Sequence, residues 1–289
     1  MTAATSTRRR HVVSQTFLLV AAVVWILPVL WAVYLAFRPL AETDRYGYVS
    51  WPRSLTLQNF KDAWTQGSVA HYFWNSFAIT VVAVAVTLFL ASALAFVVSR
   101  VRIRFGLPLL LLLTAGNLLP QQVFLAPLFK IYNAVAVPAW LSDSGKLYDS
   151  LAGLMLINIA FQLGFCVFVL SNFMRTIPQS ITDAALIDGA SAWTQYWRIT
   201  LPLCRPALAA MATLLTTWIY NDFFWALALI STGTKYPITT ALNDLKGTYA
   251  VDNNLLAAGS LIVAAPTLLV YLLLQRHFIA GLTLGATKE

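Results

Sequence analysis

Charge is scarce in this chain. Of its 289 residues only 10% are Asp, Glu, Lys or Arg and 59% are hydrophobic, whereas an average soluble domain carries about 25% charged residues. A surface wet on all sides is thereby excluded. Cysteine is nearly absent too: Cys166 and Cys204 each stand in or at the end of an apolar run. They read as small packing residues, not as a disulfide or metal pair. The three histidines, His11, His71 and His277, lie far apart, and nothing accompanies them at metal-ligand spacing. There is no HExxH, no nucleophile elbow and no pair of intramembrane acids. A Walker motif is missing as well. Ser144-Gly145-Lys146-Leu147 looks like the end of one, but Trp140 occupies the place of its first glycine. The chain is therefore expected to catalyse nothing and to bind no metal, nucleotide or nucleic acid of its own.

What the chain has in abundance is long apolar runs. Six are of spanning length, since a membrane helix needs about 20 residues. They cover about Val12–Phe37, Tyr72–Ser99, Leu107–Phe129, Ser150–Met174, Pro206–Ile230 and Leu255–Gln275. The first follows Arg8-Arg9-Arg10-His11 but is too long for a signal-peptide core and lacks a small-residue cleavage site, so it is expected to stay as a span. Kinks are expected near Pro28 and Pro266.

The basic residues are distributed unevenly. With the amino terminus inside, the inner segments hold Arg8, Arg9, Arg10, Arg100, Arg102, Arg104, Arg175, Arg198, Arg205, Arg276 and Lys288 against Asp183, Asp188 and Glu289. The outer loops hold eight basic and seven acidic residues. The positive-inside bias therefore predicts both termini in the cytoplasm.

Polar side chains inside the runs are candidates for a pathway. The third run carries Pro108, Pro120 and Pro127 together with Asn117, Gln121 and Gln122. Such residues are tolerated at membrane depth where protein or a watery cavity satisfies the freed backbone groups. They serve equally as glue between helices. Asp222 lies in the fifth run beside Asn221, within WIYNDFFW. A carboxylate at the bilayer centre costs about 2.5–3.5 kcal/mol on insertion scales, so it should face protein or water. Two roles stay open: lining a path, or pairing with a partner-subunit group or capping a broken helix.

Between the fourth and fifth runs lies Asp183–Pro202, DAALIDGASAWTQYWRITLP. Pro178 suits a first helical turn, and small Ala184 and Ala185 permit close approach of another surface. Gly189 is expected to interrupt the helix through positive φ. Ser191 can cap a second helix with Trp193, Tyr196 and Trp197 on one side. That helix is expected to stop at Leu201-Pro202.

This stretch resembles the cytoplasmic loop of ABC importer permeases, E-A-A-x-x-D-G-A-x-x-x-x-x-F-x-x-I-x-L-P. Ala184, Ala185, Asp188, Gly189, Ala190, Ile199, Leu201 and Pro202 coincide with it, while Asp183 replaces Glu and Tyr196 replaces Phe. Leu57–Trp64, otherwise any short amphipathic surface helix, and the final QRHFIAGLTLGATKE resemble segments of sugar-importer permeases. The chain thus resembles the carbohydrate-uptake, MalG-type branch of that family. The resemblance implies an all-α integral membrane protein with six transmembrane helices in the type I importer (MetI-like) fold. It divides the chain into residues 1–71, a core permease domain 72–280 with its coupling loop at 176–202, and a cytoplasmic tail 281–289. It implies a prokaryotic plasma (inner) membrane, a second homologous permease as heterodimer partner, two ATPase subunits holding ATP and Mg, and an extracytoplasmic sugar-binding protein. The loop would couple to the ATPase, and Asn221-Asp222 recurs in relatives. A secondary transporter or channel, or an ABC permease for a solute such as a glycerol phosphate, is the alternative.

Overall fold

The computed structural model describes residues 2–66, 69–101, 105–242 and 252–283. Their regular structure is helical apart from one isolated antiparallel bridge, Ala136 to Lys146. In chain order the helices are α1 (Thr2–Ala36), α2 (Leu40–Tyr46), α3 (Gln58–Gln66), α4 (Val69–Arg100), α5 (Gly106–Ala115), α6 (Leu125–Ala134) and α7 (Leu151–Thr176). There follow α8 (Gln179–Ile187), α9 (Ala192–Thr194), α10 (Leu201–Leu203), α11 (Arg205–Tyr220), α12 (Phe224–Leu229), α13 (Ile238–Ala241) and α14 (Asn253–Thr283). Two compact units emerge: Met1–Val69 with Leu242–Ala264, and Ala70–Ala241 with Ala265–Glu289.

Among the described residues four single helices are long and apolar enough to cross a membrane: Val13–Ala36, Val69–Arg100, Leu151–Thr176 and Asn253–Leu273. α1 and α14 continue through Pro28 and Pro266 without a break. Lost ladder bonds at such prolines are tolerated in membrane helices. α1 also begins within the polar stretch expected to precede the first span, and α14 runs past Gln275 to Thr283. Residues 284–289, the end of the expected tail, lie outside the described residues.

The third and fifth runs are not single helices. The third consists of α5, a 3-10 turn Gly116–Leu118, a second 3-10 turn Gln121–Phe124, and α6. The break falls at Leu119, whose ψ of 138° is extended, because a residue before proline is pushed out of the helical region. The fifth run breaks at Asn221–Phe223, between α11 and α12. Asn and Asp there offer the backbone local hydrogen bonds that compete with the helical ladder.

In the first unit the end of α1 is sealed by amides. The last carbonyls of a helix lack intrahelical partners. Here Asn59 Nδ2 donates to Ala36 O at 2.9 Å and Arg38 O at 2.8 Å, and Asn254 Nδ2 donates to Leu35 O at 3.2 Å and Arg38 O at 2.8 Å. Arg38 is fully buried, its guanidinium donating to Gly47 O at 2.9 Å and Glu42 O at 3.1 Å and to the Ser50 hydroxyl. α3, the Leu57–Trp64 match, is therefore no mere surface helix: Asn59 and Ala63 are buried.

The second unit packs around α7. Leu154, Ile157, Val167, Leu170 and Met174 meet Met211, Leu215 and Ile219 of α11 and small Ala83, Ala91 and Ala95 of α4 in one core. Cys166 and Cys204 are free and buried within it. Ahead of α7 the chain is pinned by Asp149, which adopts φ 56°, a left-handed conformation that Asp tolerates better than most side chains. Its carboxylate accepts from Ser231 N and Thr232 N, both at 2.8 Å, and from Thr232 Oγ1 at 2.6 Å, with Lys235 Nζ at 3.6 Å. Burial pushes this carboxyl up, but the Thr232 and Ser231 donors and Lys235 outweigh it and hold it below its usual range.

α5 crosses α7 at Gly164, where an added Cβ would overlap Leu113 O and lie 2.6 Å from the Asn117 amide. Overpacking of this kind costs about 1–3 kcal/mol. Gly164→Ala should lower membrane abundance and the melting temperature of the purified protein. Gly116→Ala, with nothing within 4 Å of its added Cβ, should stay within about 0.5 kcal/mol of the parent. Equal melting of the two variants would show that α5 is not held against α7.

Candidate functional site

α8 ends in a Schellman motif. Gly189, at φ 75°, donates to Leu186 O at 3.0 Å, and Ala190 N donates to Ala185 O at 2.9 Å. These are the 5→2 and 6→1 bonds that satisfy carbonyls orphaned at a helix end, and they require the left-handed residue that glycine supplies without penalty. Space is not the reason for glycine, since nothing lies within 4 Å of a Cβ built there. Ser191 then accepts from Thr194 N at 3.3 Å and starts α9. Pro178 precedes α8 as its N-cap, with ψ 135°, and does not occupy the first turn.

The second half of the loop departs from the expected stop at Leu201-Pro202. Gln195–Thr200 is a π-helix that leads directly into α10, and α11 follows after Cys204 with a bend of 72°. The widened turn accommodates the carbonyls that the ring of Pro202 and its missing N–H would leave badly placed, so the chain stays helical and changes direction later. The three aromatic rings do cluster, with Trp193 to Trp197 at 5.5 Å and Tyr196 to Trp197 at 5.2 Å between centroids. They do not share one surface, however. Tyr196 is buried, its hydroxyl 2.8 Å from Ser92 Oγ and its ring 5.5 Å from Phe96 on α4.

The tip of this knob is apolar and exposed. Ile187 is 87% accessible, Trp193 66% and Leu186 58%, so the two faces flanking Gly189 present exposed apolar surface. Ala185 is buried, whereas Asp183 is exposed and accepts only from Gln179 Nε2 at 3.3 Å. Ile199 and Leu201 are half-buried. Arg100, at the end of α4, fastens the base. Its guanidinium donates to Ile177 O at 2.7 Å, to Met174 O, and to Gln179 Oε1 at 3.2 Å.

The other end of α11 opens on a cavity of about 550 Å³. Its polar wall is Asn117, Gln121, Asn158, Gln162, Asn221 and Asp222; its apolar wall includes Phe161, Trp218 and Trp225. Asp222 spans two elements, accepting from Trp225 N at 3.2 Å to cap α12 and from Asn158 Nδ2 at 3.2 Å across to α7. Its own carbonyl accepts from Thr239 Oγ1 at 2.9 Å. The Asn117 amide, oriented to suit its neighbours, donates to Phe161 O at 2.5 Å and accepts from Phe165 N at 3.2 Å.

Asn117, Gln121, Asn221 and Asp222 thus come together at one cavity, whereas Gln122 is exposed and does not line it. Asp222 caps a broken helix and lines the cavity at once. Asn158 and Gln162 escaped notice, although a pair of amides four apart on an otherwise apolar helix marks one face. Arg100 was legible only as one of several inner charges.

Residues 88–283 match the family model described as binding-protein-dependent transport system inner membrane component. The chain is 30% identical over 289 residues to the diacetylchitobiose uptake system permease protein NgcG of Streptomyces coelicolor, covering 99% of this chain and 92% of that one. It is 28% identical over 270 residues to the trehalose transport system permease protein SugB of Mycobacterium tuberculosis, covering 91% and 92%. Among solved structures, a chain of a bacterial ABC transporter involved in the import of the acidic polysaccharide alginate shares the fold, with a TM-score of 0.77 at 20% identity over 94% of this chain and 98% of that one.

Asp222→Ala removes both the cap on α12 and the partner of Asn158, and loss of a cap alone costs about 1 kcal/mol. Its purified form should melt below the parent, and Asp222→Asn, which still caps, should stay close to it. Unchanged melting of the alanine variant would strip Asp222 of its capping role.

Proposed function

This chain belongs to the family of binding-protein-dependent transport system inner membrane components, and from that premise we propose that it forms half of the pathway of an ATP-driven sugar importer. Family membership makes it an ABC transporter permease, a multi-pass membrane subunit that transports and does not catalyse. The sugar follows from its relatives, whose names specify diacetylchitobiose, trehalose and arabinooligosaccharides. The observation that carries the coupling role is the apolar knob around Gly189, exposed yet stiffened by a Schellman motif and rooted by Arg100 and Tyr196.

In this reading Asp183, Ala184, Ala185, Asp188, Gly189, Ala190, Tyr196, Ile199, Leu201 and Pro202 form the element through which two separate ATPase subunits, holding ATP and Mg, drive the permease. Ile187 and Trp193 supply the desolvated contact, as apolar anchors do at most interfaces. A second homologous permease completes the pathway, and an extracytoplasmic binding protein delivers the sugar; a related solved complex carries a periplasmic protein bound to alginate pentasaccharide. Closure of the ATPase pair moves the knob, α11 carries the motion, and the cavity at its far end changes access. The basic excess of the inner segments supports a cytoplasmic knob and cytoplasmic termini.

Two experiments test this. The native cysteines are buried, so an impermeant thiol reagent applied to intact cells reads only introduced ones. Cysteine at Asp143 should react from outside and cysteine at Ser180 should not; the reverse pattern would invert the topology. In the reconstituted complex, Gly189→Val forces a branched residue into φ 75°, a strain of about 1–3 kcal/mol. The variant should insert at normal abundance yet lose ATPase capture and sugar-stimulated ATP hydrolysis, while Asp183→Glu should behave as the parent. Full stimulated hydrolysis in the valine variant would remove the knob from the coupling path.

A further inference from the structure

We infer that the cavity at the far end of α11 is a sugar subsite selective for uncharged saccharides, which admits neutral sugars and rejects uronates and sugar phosphates. This rests on the reading of the chain as a sugar-importer permease and adds the class of sugar. The first observation is the kind of wall. Four carboxamides, of Asn117, Gln121, Gln162 and Asn221, with the buried Asn158 behind them, line a volume of about 550 Å³, within the about 300–1,000 Å³ typical of small-molecule sites. A carboxamide offers donors and an acceptor together, which matches a hydroxyl that is itself both. Trp218 lines the same space and is exposed, and an indole face presents a broad apolar plate, with negative charge at its centre, to the C–H face of a pyranose.

The second observation is charge. Asp222 is an acidic group in the wall, and no Lys, Arg or His stands among the described residues that line it. Both of its oxygens already accept, from Asn158 Nδ2 and Trp225 N, so neither neighbour is free to become a dedicated anion donor. Anion sites use guanidinium, ammonium or converging backbone N–H groups, and a like charge placed beside a carboxylate in a desolvated wall is repelled. The chain of the alginate transporter that shares this fold serves an acidic polysaccharide. The lining here suits the opposite class.

The experiment uses the complex purified with its native partners through a tag on this chain and placed in nanodiscs. A Thr217→Cys reporter on the cavity wall is alkylated with a small thiol reagent, the native cysteines being buried. The probes are maltotriose, trehalose and N,N′-diacetylchitobiose as neutral sugars, and trigalacturonate as the anion. Uptake of each is measured in parallel with the unsubstituted complex. At least one neutral sugar should slow alkylation by about tenfold, equivalent to about 1.4 kcal/mol of occupancy, while trigalacturonate at equal concentration should not. Gln162→Lys should give trigalacturonate protection that the parent lacks. Protection by trigalacturonate equal to that by every neutral sugar overturns the inference. Absence of protection while a neutral sugar is still taken up overturns it too and leaves the importer reading intact. Absence of both protection and uptake for every sugar overturns the importer reading, and the inference falls with it.

Discussion

A helix that breaks inside a membrane exposes backbone N–H and C=O groups to a solvent that cannot hydrogen-bond them, at several kcal/mol for each one left unpaired. The second unit is built around meeting that demand at residues 221–223. Asp222 caps α12 through Trp225 N, its carbonyl takes the Thr239 hydroxyl, and Asn221 Nδ2 returns to Thr217 O at 2.8 Å. Asn158 reaches over from α7 to the same carboxyl. The polar groups that satisfy the break are thus the groups that make the adjoining space polar. A polar cavity and a broken helix are one feature viewed from two sides.

The same helix carries the other functional end. α11 spans 16 residues, about 24 Å at 1.5 Å per residue. Its first turn follows the π-helix and the 72° bend from the knob, and its last turn presents Thr217 and Trp218 to the cavity. Tyr196 and Ser92 tie the bend to α4, and Arg100 ties α4 to the start of α8. The knob and the cavity are therefore joined by one helical element and two lateral fastenings. No flexible loop intervenes between Ala192 and Tyr220.

Small residues set how closely these elements approach. With lipid on the outside there is little hydrophobic gain in helix association, and packing must supply it. Gly164 brings α5 against α7, and the alanines of α4 do the same on another side. The close crossing also seats the Asn117 amide on the Phe161 and Phe165 backbone. In the first unit the equivalent task falls to Asn59 and Asn254, which close the end of α1 through two carbonyls and share that of Arg38.

The sequence by itself determined what depends on composition and on neighbours a few residues apart. Scarce charge with six long apolar runs meant a membrane domain; the order of residues from Asp183 to Pro202 meant the permease loop; and Gly189 meant a left-handed turn, because the Schellman bonds are local. Tertiary structure decided what depends on distant partners. Pro202 did not end its helix, since a π-turn anchored by Tyr196 on α4 absorbed it. Pro28 and Pro266 did not break theirs, while Asn221-Asp222 did, for the hydrogen bonds of Asp222 to Asn158 and Thr239 are settled only when helices meet; the break at Leu119, a residue before proline, is by contrast local. Gln122 parted from Gln121, and Asn158 and Gln162 joined the cavity, because which side of a helix faces water is fixed by what packs on its other sides.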